Sequence, residues 1–126
     1  MVTRSLITAA LTLGLAVPAL AEGDPAAGEK VFRKCKACHM VGEDAKNRVG
    51  PVLNGIVGNP VGAVEDFKYS DVFQAMATEG RVWTEEELSV YLAKPGDYAK
   101  GTKMAFPGLR KEADISNVIA YLATSE

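Results

Sequence analysis

The five residues Cys35-Lys36-Ala37-Cys38-His39 constrain this chain more than any other stretch, because they hold both of its cysteines and its one histidine. Two thiols three positions apart, followed at once by an imidazole, form the pattern by which a polypeptide captures haem. Each thiol adds to a vinyl group of the porphyrin as a thioether, and the histidine ligates the iron. Three other readings compete with that one. A zinc site needs about four ligands at tetrahedral spacing, and two cysteines with one histidine fall short. A thioredoxin-like dithiol follows a strand in a βαβ pattern, whereas Pro25 to Lys34 reads as helix. A disulfide between Cys35 and Cys38 staples only a short loop, stabilising little, and leaves His39 without a role. Haem attachment uses all three side chains. A single histidine supplies one axial ligand, so the opposite face of the iron is filled by another residue type or left open.

The first 21 residues read as a targeting segment rather than as part of a fold. Arg4 precedes an apolar run from Leu6 to Leu20, and Ala19-Leu20-Ala21 is a small-x-small cleavage site, the order of a secretory signal. The run falls short of the roughly 20 residues that span a bilayer. Cleavage after Ala21 leaves one domain, residues 22–126, exported to the periplasm, an oxidising compartment.

Helical signals dominate residues 22–126. Asp24-Pro25 pairs an N-cap with proline at the first helical position, opening a helix through Gly28, Val31 and Phe32 into the cysteine turn. Ser70 caps a helix over Asp71 to Thr78, and Thr84 with Glu87 forms a capping box for a helix through Leu88, Tyr91 and Leu92 that Pro95 stops. Ile115, Val118, Ile119 and Leu122 recur at helical spacing between Glu112 and Thr124. Gly42 to Pro60 and Gly96 to Leu109 read as loop, and no strand pattern survives. Short helices on loops this long argue against a compact domain unless a cofactor supplies much of the core. A few hundred Å² of buried porphyrin is worth on the order of 10 kcal/mol.

Among the four methionines, Met1 leaves with the signal and Met40 follows His39 too closely to reach the other face of a ring. Met76 sits in an apolar helical pattern that suits packing. Met104 lies in Gly101-Thr102-Lys103-Met104-Ala105-Phe106-Pro107-Gly108, whose glycines let backbone approach a flat ligand. It is the candidate sixth ligand.

These residues resemble the class I cytochromes c, in particular the bacterial cytochrome c2 type. The resemblance rests on Gly28 and Phe32, Cys35 to His39, Gly50-Pro51-x-Leu53-x-Gly55, Phe67-Lys68-Tyr69, Trp83, Tyr91-Leu92-x-x-Pro95, Gly101-Thr102-Lys103-Met104-x-Phe106 and Ile119-Ala120-Tyr121-Leu122. It implies an all-α fold wrapped round one covalent haem c, with the first and last helices crossing where Gly28 gives room to Val118 and Tyr121. It implies that the Pro51 carbonyl orients His39, that Tyr69 and Trp83 bond a haem propionate, and that Tyr91 approaches the Met104 sulfur, with Thr102 in the same loop. Two departures stand out: Asn59 follows Gly58 where relatives often carry arginine, and Phe73 replaces a polar residue.

Charge points the same way. Without Arg4 the chain has 13 basic and 16 acidic side chains, no basic excess of the kind nucleic acid requires. Lys30, Arg33, Lys34 and Lys36 flank the cysteines, and Lys100, Lys103, Arg110 and Lys111 flank Met104. Such a ring steers acidic partners electrostatically. With both axial positions filled, the expected chemistry is one-electron transfer by a monomer working between a cytochrome bc complex and a terminal oxidase or photosynthetic reaction centre. A haem enzyme or gas-binding protein with a displaceable sixth ligand is the alternative.

Overall fold

The computed structural model describes residues 23–126 together with Gly14, so the expected signal segment lies outside the described residues save for that glycine. Five helices follow in order: α1 (Pro25–Phe32), α2 (Asp71–Thr78), α3 (Glu85–Ala93), α4 (Pro95–Tyr98) and α5 (Glu112–Ala123). Among the described residues the one extended pairing is an antiparallel bridge between Pro60 and Val82.

The crossing of α1 and α5 is the frame of the fold. Asp24 caps α1 by accepting from Ala26 N at 3.0 Å, and its own N–H donates to Asn117 Oδ1 on α5 at 2.8 Å. Gly28 is buried at the crossing, where a Cβ would run into the Asn117 carbonyl and lie 2.8 Å from Tyr121 Cβ. Val118 and Phe32 belong to the same buried cluster, each 1% exposed. The Phe32 and Tyr121 rings meet at 5.4 Å. With Ile115, Ile119 and Leu122 also buried, each large apolar side chain contributes about 2 kcal/mol.

The second half differs from expectation in three places. Pro95 ends α3, but it also opens α4 as its first residue, so the segment read as loop from Gly96 begins with a helical turn. Proline cannot continue a helix yet its fixed φ suits a first position, and Lys94 turns between the two helices at φ −151° and ψ 81°. Thr84 Oγ1 accepts from Glu87 N at 3.1 Å, but the return bond of a capping box is absent because the Glu87 carboxylate is held by Arg81 and Tyr98. Ser70 stands at the N-cap of α2 without a capping bond from its side chain.

Between these helices the loops converge on one apolar cluster containing Val61, Phe73, Met76, Trp83, Leu88, Tyr91, Leu92 and Leu109, with Cys35, Leu53, Tyr69 and Met104 packed against its edge. No helix of the described residues is long and apolar enough to cross a membrane.

Candidate haem site

The cysteine turn continues directly from α1. Cys35 N donates to Phe32 O at 2.8 Å and His39 N to Cys35 O at 2.9 Å, which brings both thiols and the imidazole onto one turn. Both thiols are free and half-buried. Burial, then the neighbouring Cys38, push the Cys35 thiol up, with Lys34 opposing them. A redox-active dithiol has the opposite bias, a depressed nucleophilic thiol.

His39 is held as a neutral imidazole. Its Nδ1 lies 2.7 Å from the Pro51 carbonyl, and because a carbonyl can only accept, Nδ1 carries the hydrogen and Nε2 keeps a free lone pair. Burial lowers the imidazole's affinity for a second proton, with the Pro51 bond acting the other way. Gly50 lies against the ring itself: a Cβ there would overlap Cε1 and come within 2.7 Å of Nδ1 and 2.8 Å of Nε2. We expect Gly50→Ala to cost about 2 kcal/mol by overpacking, read from guanidinium melts. An unchanged midpoint would mean that the ring is not seated on Gly50.

In the second candidate segment, the Tyr91 hydroxyl donates to Met104 Sδ at 3.0 Å, and Met104 N donates to Thr102 Oγ1 at 3.3 Å. Burial pushes the Tyr91 phenol up to about 12, against the pull of a Thr102 hydrogen bond. The phenol therefore keeps its hydrogen on the sulfur throughout the neutral range. The loop turns at Gly101 with φ 90°, and a cavity of about 430 Å³ lies on its flank, bordered by Lys94, Phe106 and Pro107. Met76, 6% exposed, is a core side chain.

The remaining candidates are divided among the cluster, its edge and the surface. Tyr69 OH accepts from Val64 N at 3.1 Å, which leaves its own hydrogen free to donate. Trp83 is buried, its ring 6.0 Å from Phe73 and 5.0 Å from Tyr91. Phe73, which stands where the resemblance implies a polar residue, is buried and packs in the aromatic cluster. Asn59 contributes its backbone, accepting from Trp83 N at 2.8 Å, while its residue is exposed. Lys30, Lys34, Lys36, Lys100, Lys103 and Lys111 are all exposed, and among the described residues the single ion pair is Arg81–Glu87.

Two residues that bear on the site were not read as part of it in the sequence. One is Gly50, visible as part of a motif but not as the seat of an imidazole. The other is Ser70, whose Oγ is buried with no hydrogen-bond partner. An orphaned hydroxyl at the edge of an apolar cluster costs about 1–3 kcal/mol unless something supplies an acceptor, as a porphyrin carboxylate does. Paired half-buried thiols, a neutral imidazole with Nε2 free and this hydroxyl fit a haem. Fold and site together define an all-α protein that holds a covalent haem.

Comparison with known proteins agrees. The cytochrome c family model matches residues 25–126. Cytochrome c-550 of Ancylobacter novellus is 54% identical over 100 residues, covering 79% of this chain and 94% of its own. Cytochrome c-554 of Methylosinus trichosporium is 49% identical over 122 residues, covering 94% and 90%. Among solved structures, cytochrome c2 from Rhodospirillum centenum superposes with a TM-score of 0.77 at 41% identity, covering 82% of this chain and 98% of that one. The chain belongs to the cytochrome c family, and is a class I protein of the cytochrome c2 type. It is an electron-transfer protein rather than an enzyme, with one haem c attached through Cys35 and Cys38.

Proposed function

We propose that the chain is an exported, soluble one-electron carrier, monomeric in the periplasm, whose haem iron is ligated by His39 and Met104. The observation that carries this reading is the hydrogen bond from Tyr91 to Met104 Sδ. Met104 packs at the edge of the apolar cluster, and packing alone does not call for a hydrogen bond onto its sulfur, whereas orienting an axial ligand does. When bound, the haem supplies a one-electron iron couple, and methionine ligation sets it high. The protein's own part is to hold two neutral ligands in place, His39 against Gly50 and Pro51, Met104 against Tyr91. Neither ligand needs to move as charge changes. Pro51, Tyr69, Trp83, Ser70 and Thr102 line the cofactor in this reading.

The exposed lysines flanking Cys35–His39 and Met104 support a donor and an acceptor with acidic faces, a cytochrome bc complex as donor and a terminal oxidase or photosynthetic reaction centre as acceptor. The relatives named cytochrome c2 support electron exchange with redox partners in general. A haem enzyme would keep an open or labile position, so the ferrous protein distinguishes the two. We expect no rapid carbon monoxide binding at neutral pH, and a weak far-red thioether band in the ferric spectrum. Stoichiometric binding would reject His/Met ligation. Lys34→Glu with Lys103→Glu should slow reduction of an oxidase severalfold at low ionic strength, the effect fading as the Debye length shrinks from about 10 Å at 0.1 M salt to about 3 Å at 1 M. Equal slowing at high salt would indicate damage rather than lost steering.

A further inference from the structure

Arg81, Glu87 and Tyr98 form a cluster that the haem contacts do not use. The Tyr98 hydroxyl donates to Glu87 Oε2 and accepts from the Arg81 guanidinium at 2.8 Å, while Arg81 also pairs with Glu87 at 3.2 Å. The guanidinium carbon lies 5.3 Å from the Tyr98 ring centroid. All three residues are partly exposed. Inward, the Tyr98 ring stacks on Trp83 at 5.9 Å with the planes 29° apart, and lies 5.5 Å from Tyr91. Tyr91 in turn reaches the Met104 sulfur. A line of oxidisable side chains thus runs from Met104 to the surface, its ring centroids all within 6 Å of the next.

The two ends of that line differ in one chemical respect. A phenol loses an electron near neutral pH only if its proton leaves too, because the oxidised phenol is a strong acid. The proton needs a base within hydrogen-bond reach. Tyr91 points its hydrogen at a thioether, which is no base. Tyr98 points its hydrogen at a carboxylate, which the same phenol and Arg81 hold in its charged form.

We infer that Tyr98 is a redox-active residue, the sink for oxidising equivalents that a strong one-electron oxidant creates at Met104 or in the aromatic cluster. One electron passes inward from Tyr98 by way of Trp83 or Tyr91 to the oxidised group. The Tyr98 O–H bond breaks, its proton moves to Glu87 Oε2, and a neutral phenoxyl remains at the surface. A small reductant of the thiol or ascorbate class restores it with one electron, and the proton returns from Glu87. The device protects the thioether whether or not that sulfur binds iron.

The test uses the haem-loaded protein and photogenerated ruthenium(III) tris-bipyridine as oxidant. Freeze-quenched samples should give a tyrosyl electron paramagnetic resonance signal, and dityrosine should map to Tyr98 in peptide digests. Tyr98→Phe should lose that signal and show severalfold more oxidation at Trp83, Tyr91 and Met104 by mass spectrometry. Glu87→Gln keeps an acceptor for the hydroxyl but removes the base, so the radical yield should fall towards that of Tyr98→Phe while the haem spectrum stays native. Dityrosine mapping to Tyr69 or Tyr121, unchanged damage in Tyr98→Phe, or a wild-type radical yield in Glu87→Gln would each overturn the inference.

Discussion

Gly28→Ala is expected to destabilise the fold by about 3 kcal/mol, the upper part of the usual overpacking range. Alanine is the better helix former by roughly 0.5–1 kcal/mol, so the sign depends on what the new methyl meets. It meets the Asn117 carbonyl and Tyr121 Cβ, both fixed to α5, and neither can swing aside as the tip of a long side chain would. The helices must separate. Separation loosens Phe32 and Val118, each 1% exposed, and lengthens the bond from Asp24 N to Asn117 Oδ1. A domain of this size loses about 4–8 °C of Tm per kcal/mol, so a drop of about 15 °C should appear in thermal melts. Ala26→Gly, on an exposed face of the same helix, should cost only about 1 kcal/mol. A Gly28→Ala variant as stable as the parent would refute the close crossing.

How far the fold can be read from sequence depends on the range of the forces that decide each element. The ends of α1, α2, α3 and α5 were legible because caps and apolar period act within a few residues: Asp24-Pro25, Ser70, Thr84 and the spacing from Ile115 to Leu122 sufficed. What was missed is non-local. Pro95 was legible as a stop, whereas the turn it also opens as α4 ends at Tyr98, which stacks on Trp83 and bonds Glu87, contacts that no local signal announces. The Glu87 carboxylate belongs locally to a capping box and is taken instead by Arg81 and Tyr98, six and eleven residues away. Ser70 shows the same competition differently. Residue type predicts a hydroxyl on an α2 N–H, whereas the structure buries it unpartnered.

The site divides along the same line. Cys35, Cys38 and His39 announce attachment through adjacency alone, since the chemistry itself requires thiols and imidazole on one turn. The Pro51 bond to His39 and the Tyr91 bond to Met104 were legible only through resemblance to a family, because no period or spacing links residue 91 to residue 104. Gly50 lies between these cases. Its presence beside Pro51 is plain in sequence, but its contact with an imidazole eleven residues earlier exists only once Gly50 N bonds to Cys38 O at 2.9 Å and folds the loop back.

Met104→Ala should turn the ferrous protein from one that ignores carbon monoxide into one that binds it rapidly and stoichiometrically. The same change should erase the far-red ferric band and lower the midpoint potential by on the order of 100 mV, a part of the roughly 0.8 V that axial ligands control. Neither of the other methionines in residues 23–126 can replace the lost thioether. Met76 is packed in the core at 6% exposure, and Met40 adjoins His39. Met76→Leu should therefore leave band and potential unchanged while Met104→Ala abolishes the first and shifts the second, and the reverse pattern would move the ligand to residue 76. Tyr91→Phe separates the sulfur from its support. With the phenol's hydrogen gone the thioether donates more strongly to Fe(III), so the potential should fall by less than in Met104→Ala and the far-red band should persist. Because the phenol is pushed up to about 12, its own ionisation does not break the bond at neutral pH, and the difference between wild type and Tyr91→Phe should be flat from pH 6 to about pH 9. A difference that vanishes within that window would mean that some other group titrates there, and that the Tyr91 hydrogen is not what holds the sulfur.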